Sequence, residues 1–273
     1  MVKSNIDYKT RKGADGLIDI HCHILPGVDD GADDLNMALA MARGAVAEGI
    51  THICATPHQG NGRYETSPQK VIELVSNLNN RLLEAGIPLT ILPGQEVHTY
   101  HNWLDDLLDG KLLRLNDSRY LLLELNSQFI EKHQDPTTID ALMHELEIVN
   151  CVPIIAHPER YRSFHKNPKL LDLWLHRGAL SQVTSHSING SFGKSIQAFT
   201  RKLILSGSVH MIASDAHHSE SRPVTIQSAY DCVARWTSLE VVRWIKNNVT
   251  LIINDKELDT KIPKFRKKLW CFF

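Results

Sequence analysis

The chain has no C-x-x-C pair, and its five cysteines are an odd number. That arithmetic argues against a disulfide framework, and Cys22, Cys54, Cys151, Cys232 and Cys271 read as reduced thiols of a cytoplasmic protein. An excess of one charge sign is missing too. Lys and Arg number 30 against 31 Asp and Glu, for a net charge of -1. No broad field for nucleic acid or an anionic membrane is implied, so an anionic ligand must be met by a local site. No apolar run is long enough to span a bilayer. Residues 1–16 are polar and mixed in charge, without the apolar centre of a signal peptide. No G-x-G-x-x-G follows the first apolar run, which removes the fingerprint of a dinucleotide-binding open sheet.

What is present is ordinary globular composition, 42% hydrophobic and 22% charged over 273 residues, enough to bury a large core. Short β-branched runs near 17–22, 50–55, 89–93, 120–125, 152–156, 180–184 and 208–213 read as strands. Between them the spacing predicts helices near 33–48, 68–85, 101–108, 137–150, 168–177, 191–206 and 224–247, the last broken in the middle. Ser67, Pro68 and Gly86 mark both ends of the second helix. Seven alternating strands imply an α/β fold with a parallel sheet, closed as a (β/α) barrel in one domain, with an open doubly wound sheet as the competing architecture. A polar extension (1–16) precedes it, and a basic then aromatic tail (255–273), loosely attached, follows.

Side chains at i and i+2 of a strand point the same way, so His21 and His23 aim together and Cys22, between them, points away. Asp29 and Asp30 follow in the next loop. Later strands end in His58, Glu96, Glu124 and His157, and the last in Asp215 and His217. A barrel gathers all such ends on one face, where active sites lie. His21, His23, Asp30, His58, Glu96, Glu124, His157, Asp215 and His217 are more ligands than one ion can use, and shared carboxylates would hold two or three. Nitrogen and oxygen donors without thiolate suit Mn²⁺, Fe or Zn²⁺. Clustered divalent ions activate a water and clamp entering and leaving oxygens, so hydrolysis is the natural reaction.

Arg160 follows His157 by three residues and Arg222 follows His217 by five. Guanidinium forks match phosphate oxygens, and these two favour a phosphoester as substrate. No cysteine has an arginine six positions downstream, so the loop of cysteine-dependent phosphatases is absent. "GSFGKS" at 190–195 looks like the end of a P-loop, but Ile188 stands where that motif needs glycine. "HELEI" at 144–148 lacks the second histidine of H-E-x-x-H. The other ten histidines, including His98, His133, His165 and His176, read as ordinary.

The motifs "DIHCHILPGVDDGA", "ATPH", "PGQEV", "LNDSRYLLLEL", "IIAHPERY" and "IASDAH" with a following "SRP" resemble, as a set, those of the PHP (polymerase and histidinol phosphatase) superfamily. Within it the chain is most similar to the bacterial manganese-dependent protein tyrosine phosphatases of capsule and exopolysaccharide operons, the CpsB/YwqE type, from about Leu17 to Asn254. The resemblance implies a distorted (β/α)7 barrel, TIM-like and in a single domain over 17–254, with a trinuclear centre. His21, His23, Glu96 and Asp215 would bind one ion, and His58, Glu124 and His157 a second bridged by Glu96. Asp30 and His217 would help hold a third. It further implies that Arg160 and Arg222 contact phosphate and that the substrate is phosphotyrosine on a bacterial tyrosine autokinase. For the mechanism, we expect His217 or a metal to assist the leaving phenolate. The loop Gln59-Gly60-Asn61-Gly62-Arg63 departs from relatives that carry another histidine or basic residues there. A PHP hydrolase of a small molecule such as histidinol phosphate, and a catalytically silent metal-binding barrel, are the competing readings.

Overall fold

A computed structural model describes residues 16–265. Cys271 and most of the aromatic part of the tail, like the extension before Gly16, lie outside the described residues. The strands are β1 (Leu17–Cys22), β2 (Ile50–Ala55), β3 (His58–Gln59), β4 (Thr90–Pro93), β5 (Glu96–His98), β6 (Tyr120–Glu124), β7 (Val152–Ala156), β8 (Leu180–Thr184) and β9 (Met211–Ala213). All pairings are parallel, in one sheet ordered β1-β2-β4 and another ordered β3-β5-β6-β7-β8-β9.

Among the described residues seven of the nine strands fall at the predicted positions, and β3 and β5 resume two residues beyond the second and third of them. Pro57 has no N–H to give a ladder and interrupts β2 from β3. Gly94 and Gln95 interrupt β4 from β5, and a Cβ on Gly94 would come within 3.0 Å of Leu115. Past the breaks the chain pairs again, His58 opposite Glu96 and His98 opposite Glu124. No ladder joins β9 to β1. One parallel bridge, Cys22 to Ala216, stands in its place, with the Asp215 N–H donating to His21 O (2.8 Å) and the His23 N–H to Ala216 O (2.9 Å).

Residues opposite one another in register share a sheet face. Glu96, Leu122, Ile154 and Leu180 form such a row. Leu122, Ile154 and Leu180 pack with Ile20, Cys54, Leu92 and Met211 as an inner apolar cluster, which Val249, Ile252 and Ile253 complete. The opposite face, with Ile53, Ile91, Leu123, Ile155 and Val183, packs against the helices. Strands buried on both faces in this way are expected of a parallel sheet covered by helices.

The helices begin where short polar side chains cap them. Asp34 accepts from Met37 N–H, Ser67 from Lys70 N–H, and Asp135 from Thr137 and Thr138 N–H. Each such cap is worth about 1 kcal/mol. The predicted helix over 224–247 is two, Ile226–Trp236 and Leu239–Ile253, divided where Ser238 caps the second. Ser127–Lys132 is a helix that no periodic apolar run announced; Asn126 starts it by accepting from Phe129 N–H. Residues 255–265 lie against the barrel: Trp244 Nε1–H donates to Asp259 O, Tyr120 Oη–H to Lys256 O, and Ile262 and Phe265 pack on the outer core.

Candidate metal centre

All nine residues marked as ligands converge at the C-terminal ends of the strands. His21 is the last residue but one of β1, and His23 follows the strand directly. A bulge in β1 between Asp19 and Cys22 shifts the register against β2 there. His58 opens β3, Glu96 opens β5, and Glu124 closes β6. His157 and Asp215 follow β7 and β9 with φ of 34° and 53°. Left-handed backbone is costly for a residue with a Cβ, and both turns aim their side chains inward. Ligand atoms within 4.8 Å of one another form four overlapping groups: His21, His23 and Glu96; His21, His157 and Asp215; His58, Glu96 and Glu124; and His23, Asp30, His58 and His217.

The donor chemistry fits divalent cations. His21 Nδ1 lies 2.9 Å from Gln182 Oε1, and His23 Nδ1 lies 2.7 Å from Asp29 Oδ2. Both acceptors require the proton on Nδ1, which leaves lone pairs on both Nε2 atoms. Those two atoms lie 3.2 Å apart. Each also faces Glu96 Oε2 and Asp215 Oδ1 at 3.3 to 3.4 Å. Four acceptors pointed at one place, all buried, call for a cation between them. Glu96 Oε2, His58 Nδ1 and His157 Nδ1 are buried without a hydrogen-bond partner.

The electrostatics agree. Burial alone would push the imidazole of His21 toward neutrality, yet Glu96 and Asp215 outweigh it and raise its pKa. Burial opposes protonation of His58 as well, but Asp30 and Glu96 bring it to about 10. Burial should raise the Glu96 and Asp215 carboxyls. His21 and His157 hold Glu96 well below the usual range, and His21 and Arg160 do the same for Asp215. The cluster as built carries an unmet demand for positive charge.

His217 differs from the other imidazoles. Its ring packs against that of His23, tilted by 32°, with centroids 3.8 Å apart. Burial first, and His23 beside it, push its pKa down to about 4. Its Nδ1 lies 3.1 Å from Asp215 O, and its Nε2 accepts from Arg222 Nη1 (3.3 Å) and faces Asp30 Oδ1 (3.5 Å). Neutral, with the lone pair on Nε2, it is shaped as a ligand more than as an acid.

Arg160 Nη1 lies 3.1 Å from Asp215 Oδ2, and Arg222 Nη2 donates to the same oxygen. Arg160 and Arg222 thus flank the cluster at the side of β7 and β9. Cys22 stays out of it. Its thiol faces Ala216 O at 3.7 Å, and burial raises its pKa well above the usual value.

Three supporting residues were not among the site residues read from the sequence, although Asp29 was noted beside Asp30. Asp29 orients His23 and also accepts the His58 N–H at 3.0 Å. The only sequence signal for it was the doubled acid before Gly31. Gln182 is a polar residue within the fully buried strand β8, and that mismatch was readable. His98, taken as ordinary, places Nδ1 3.2 Å from Glu124 Oε2. Its position two residues after Glu96 on one strand face was the available clue.

Comparison with known proteins places these features in one group. The chain is 39% identical over 259 residues to the tyrosine-protein phosphatase YwqE of Bacillus subtilis, covering 94% of this chain and all of that one. It is 33% identical over 256 residues to the putative tyrosine-protein phosphatase CapC of Staphylococcus aureus, covering 93% of this chain and 98% of that protein. Among solved structures, one described with YwqE of Bacillus subtilis and CpsB of Streptococcus pneumoniae as metal-dependent tyrosine phosphatases superposes with a TM-score of 0.84. It is 39% identical and spans 92% of this chain and 100% of that one. The histidinol phosphate phosphatase of Lactococcus lactis shares the fold, at a TM-score of 0.52 and 12% identity over 91% of this chain and 99% of that one. Residues 17–254 match the family model for capsular polysaccharide synthesis, CpsB/CapC, so the chain belongs to the CpsB/CapC family.

Proposed function

We propose that the protein is a metal-dependent phosphatase that hydrolyses phosphotyrosine in proteins, and that its cognate substrate is a bacterial tyrosine autokinase controlling capsular or exopolysaccharide synthesis. The observation that carries the chemistry is the paired Nε2 atoms of His21 and His23 facing Glu96 and Asp215, beside two arginines on one carboxylate oxygen. Three divalent ions suit the nine ligands, manganese before iron or zinc. When bound, they supply an ionised water and Lewis acidity toward a phosphoryl oxygen.

The chain's own residues supply the rest. Arg160 and Arg222 leave Asp215 Oδ2 to grip the equatorial oxygens of the phosphoryl group and stabilise charge that grows in the transition state. Asp29 and Gln182 fix the tautomers of His23 and His21 before any ligand arrives. A tyrosine phenolate, of pKa ~10, leaves with little help. His217, neutral, is assigned to metal binding through the Nε2 that Arg222 meets here, so that holding an ion would release this guanidinium toward phosphate. Hydrolysis needs no covalent phosphoenzyme here. Among the described residues no helix is long and apolar enough to cross a membrane, and a cytoplasmic site of action goes with this reading.

The deciding experiment compares phosphotyrosyl and phosphoseryl peptides and histidinol phosphate, each with Mn²⁺ and with chelator. Chelator-sensitive preference for phosphotyrosine is the expected result. Turnover of histidinol phosphate alone would overturn the protein-substrate reading.

A further inference from the structure

Gly190-Ser191-Phe192-Gly193, the stretch that mimics a phosphate loop, is a β-turn in which the Gly193 N–H donates to Gly190 O at 3.0 Å. Gly190 and Gly193 have φ of 85° and 94°. Side chains are strained at such angles, so the two glycines give the turn a fixed shape. It joins the helix Ser185–Asn189 to the helix Lys194–Ser206, and Gln197 Nε2 ties them by donating to Ile188 O at 2.9 Å. The turn presents Phe192, half-exposed, toward the site. The Phe192 ring centroid lies 5.7 Å from Arg160 Cζ and 5.6 Å from Arg222 Cζ. The ring of His186, which bonds Pro223 O beside Arg222, is 5.9 Å away.

Arg160 arrives from the end of β7 and Arg222 from the end of β9, while Phe192 comes from the connection after β8, between them. Two like charges that share Asp215 Oδ2 repel one another. An aromatic face attracts both cations without using the in-plane N–H groups that a phosphate needs. Arg222 Nε has no hydrogen-bond partner among the described residues.

We infer that Phe192 is a positioning residue that holds Arg160 and Arg222 as a pair for one phosphoryl group. Its ring is also the wall against which the substrate's aromatic ring packs. This deepens the phosphatase reading and rests on it for the identity of that aromatic ring. A phenyl group one oxygen away from a phosphoryl held by these arginines comes alongside Phe192. Aromatic pairs gain beyond simple burial, and an alkyl group does not share that gain.

The test titrates metal-loaded protein calorimetrically with inorganic phosphate, methylphosphonate and phenylphosphonate, the latter two not hydrolysable. Wild type is compared with Phe192→Leu and Phe192→Trp, with metal content and melting temperature measured beside them. The leucine variant should keep its metal and melting temperature. Its affinity for inorganic phosphate should fall about threefold to tenfold, and its preference for phenyl over methyl about fivefold. Tryptophan should restore both. Equal affinities in wild type and the leucine variant, or equal losses with leucine and tryptophan, would overturn the inference. A Phe192-dependent phenyl preference in a protein inert toward phosphotyrosine would sink the proposed function and leave this inference standing. Normal phosphotyrosine turnover with no effect of leucine would do the reverse.

Discussion

His21 and His23 bring their Nε2 atoms within 3.2 Å of each other while Gln182 and Asp29 hold the opposite sides of the rings. The arrangement is stable only if something positive lies between those nitrogens. Its supports therefore matter as much as the ligands themselves.

Asp29 is the first support to remove. Asp29→Asn keeps the size of the side chain but weakens the charge-assisted bond that sets the His23 ring. Metal affinity should fall about 10-fold to 100-fold. Competition with a chromophoric chelator measures it directly, and unchanged affinity would show that His23 is oriented by packing alone.

Stripping the metal should destabilise the fold, because the buried Glu96 carboxylate and the paired imidazoles of His21 and His23 then lose the cation between them. An ion held at a thousand times its Kd contributes about 4 kcal/mol. Urea unfolding with and without chelator should show a lower midpoint in the stripped protein. Coincident curves would mean that the site binds no ion tightly.

Arg160→Ala should lower kcat/KM for a phosphotyrosyl peptide about 100-fold, the usual cost of one donor to a developing oxyanion. Arg160→Lys should recover only part of this, since an ammonium cannot fork across two phosphoryl oxygens. Steady-state kinetics on the three proteins decides it, and full activity in the lysine variant would reduce Arg160 to a point charge.

His210 gives a pH signature away from the centre. Its ring is buried, its Nδ1 accepts from Ser181 N–H at 3.2 Å, and burial pushes its pKa down to about 4. The unfolded chain takes up this proton near 6.5 and the folded protein near 4, so stability is full above 6.5 and is lost as pH falls through that window. The total is of order 3 kcal/mol. His210→Asn, whose amide oxygen can accept the same N–H, should flatten the fall in melting temperature between pH 6.5 and 4. Parallel curves would refute it.

Much of this site was legible in the sequence because ligands at strand ends announce themselves by residue type. His58, His157 and Asp215 each follow an apolar run, and a parallel barrel has one place to put them. The breaks at Pro57 and at Gly94 were harder to see. Apolar periodicity continues through neither, but a run reads the same whether it ends or is cut and resumes two residues later. The helix Ser127–Lys132 is too short to show a period. Phe192 was hidden for another reason. Its partners are 30 or more residues away on either side, and only the fold makes two arginines and one ring neighbours. His98 was passed over because a lone histidine is most often ordinary, and only its pairing opposite Glu124 says otherwise.

The join between β1 and β9 has a mechanical meaning. Within each sheet neighbouring strands are laced by ladders, whereas here a bridge and a few backbone bonds do the lacing. The side chains that lean across this gap are candidate ligands, His21 and His23 from one lip and Asp215 from the other. An ion seated among them would act as a rivet through a weakly laced part of the wall. Loading the centre would then stiffen the hoop as well as arm the chemistry. The first amides to exchange in a stripped protein should be those of residues 20–23 and 213–217, ahead of the laced strands opposite.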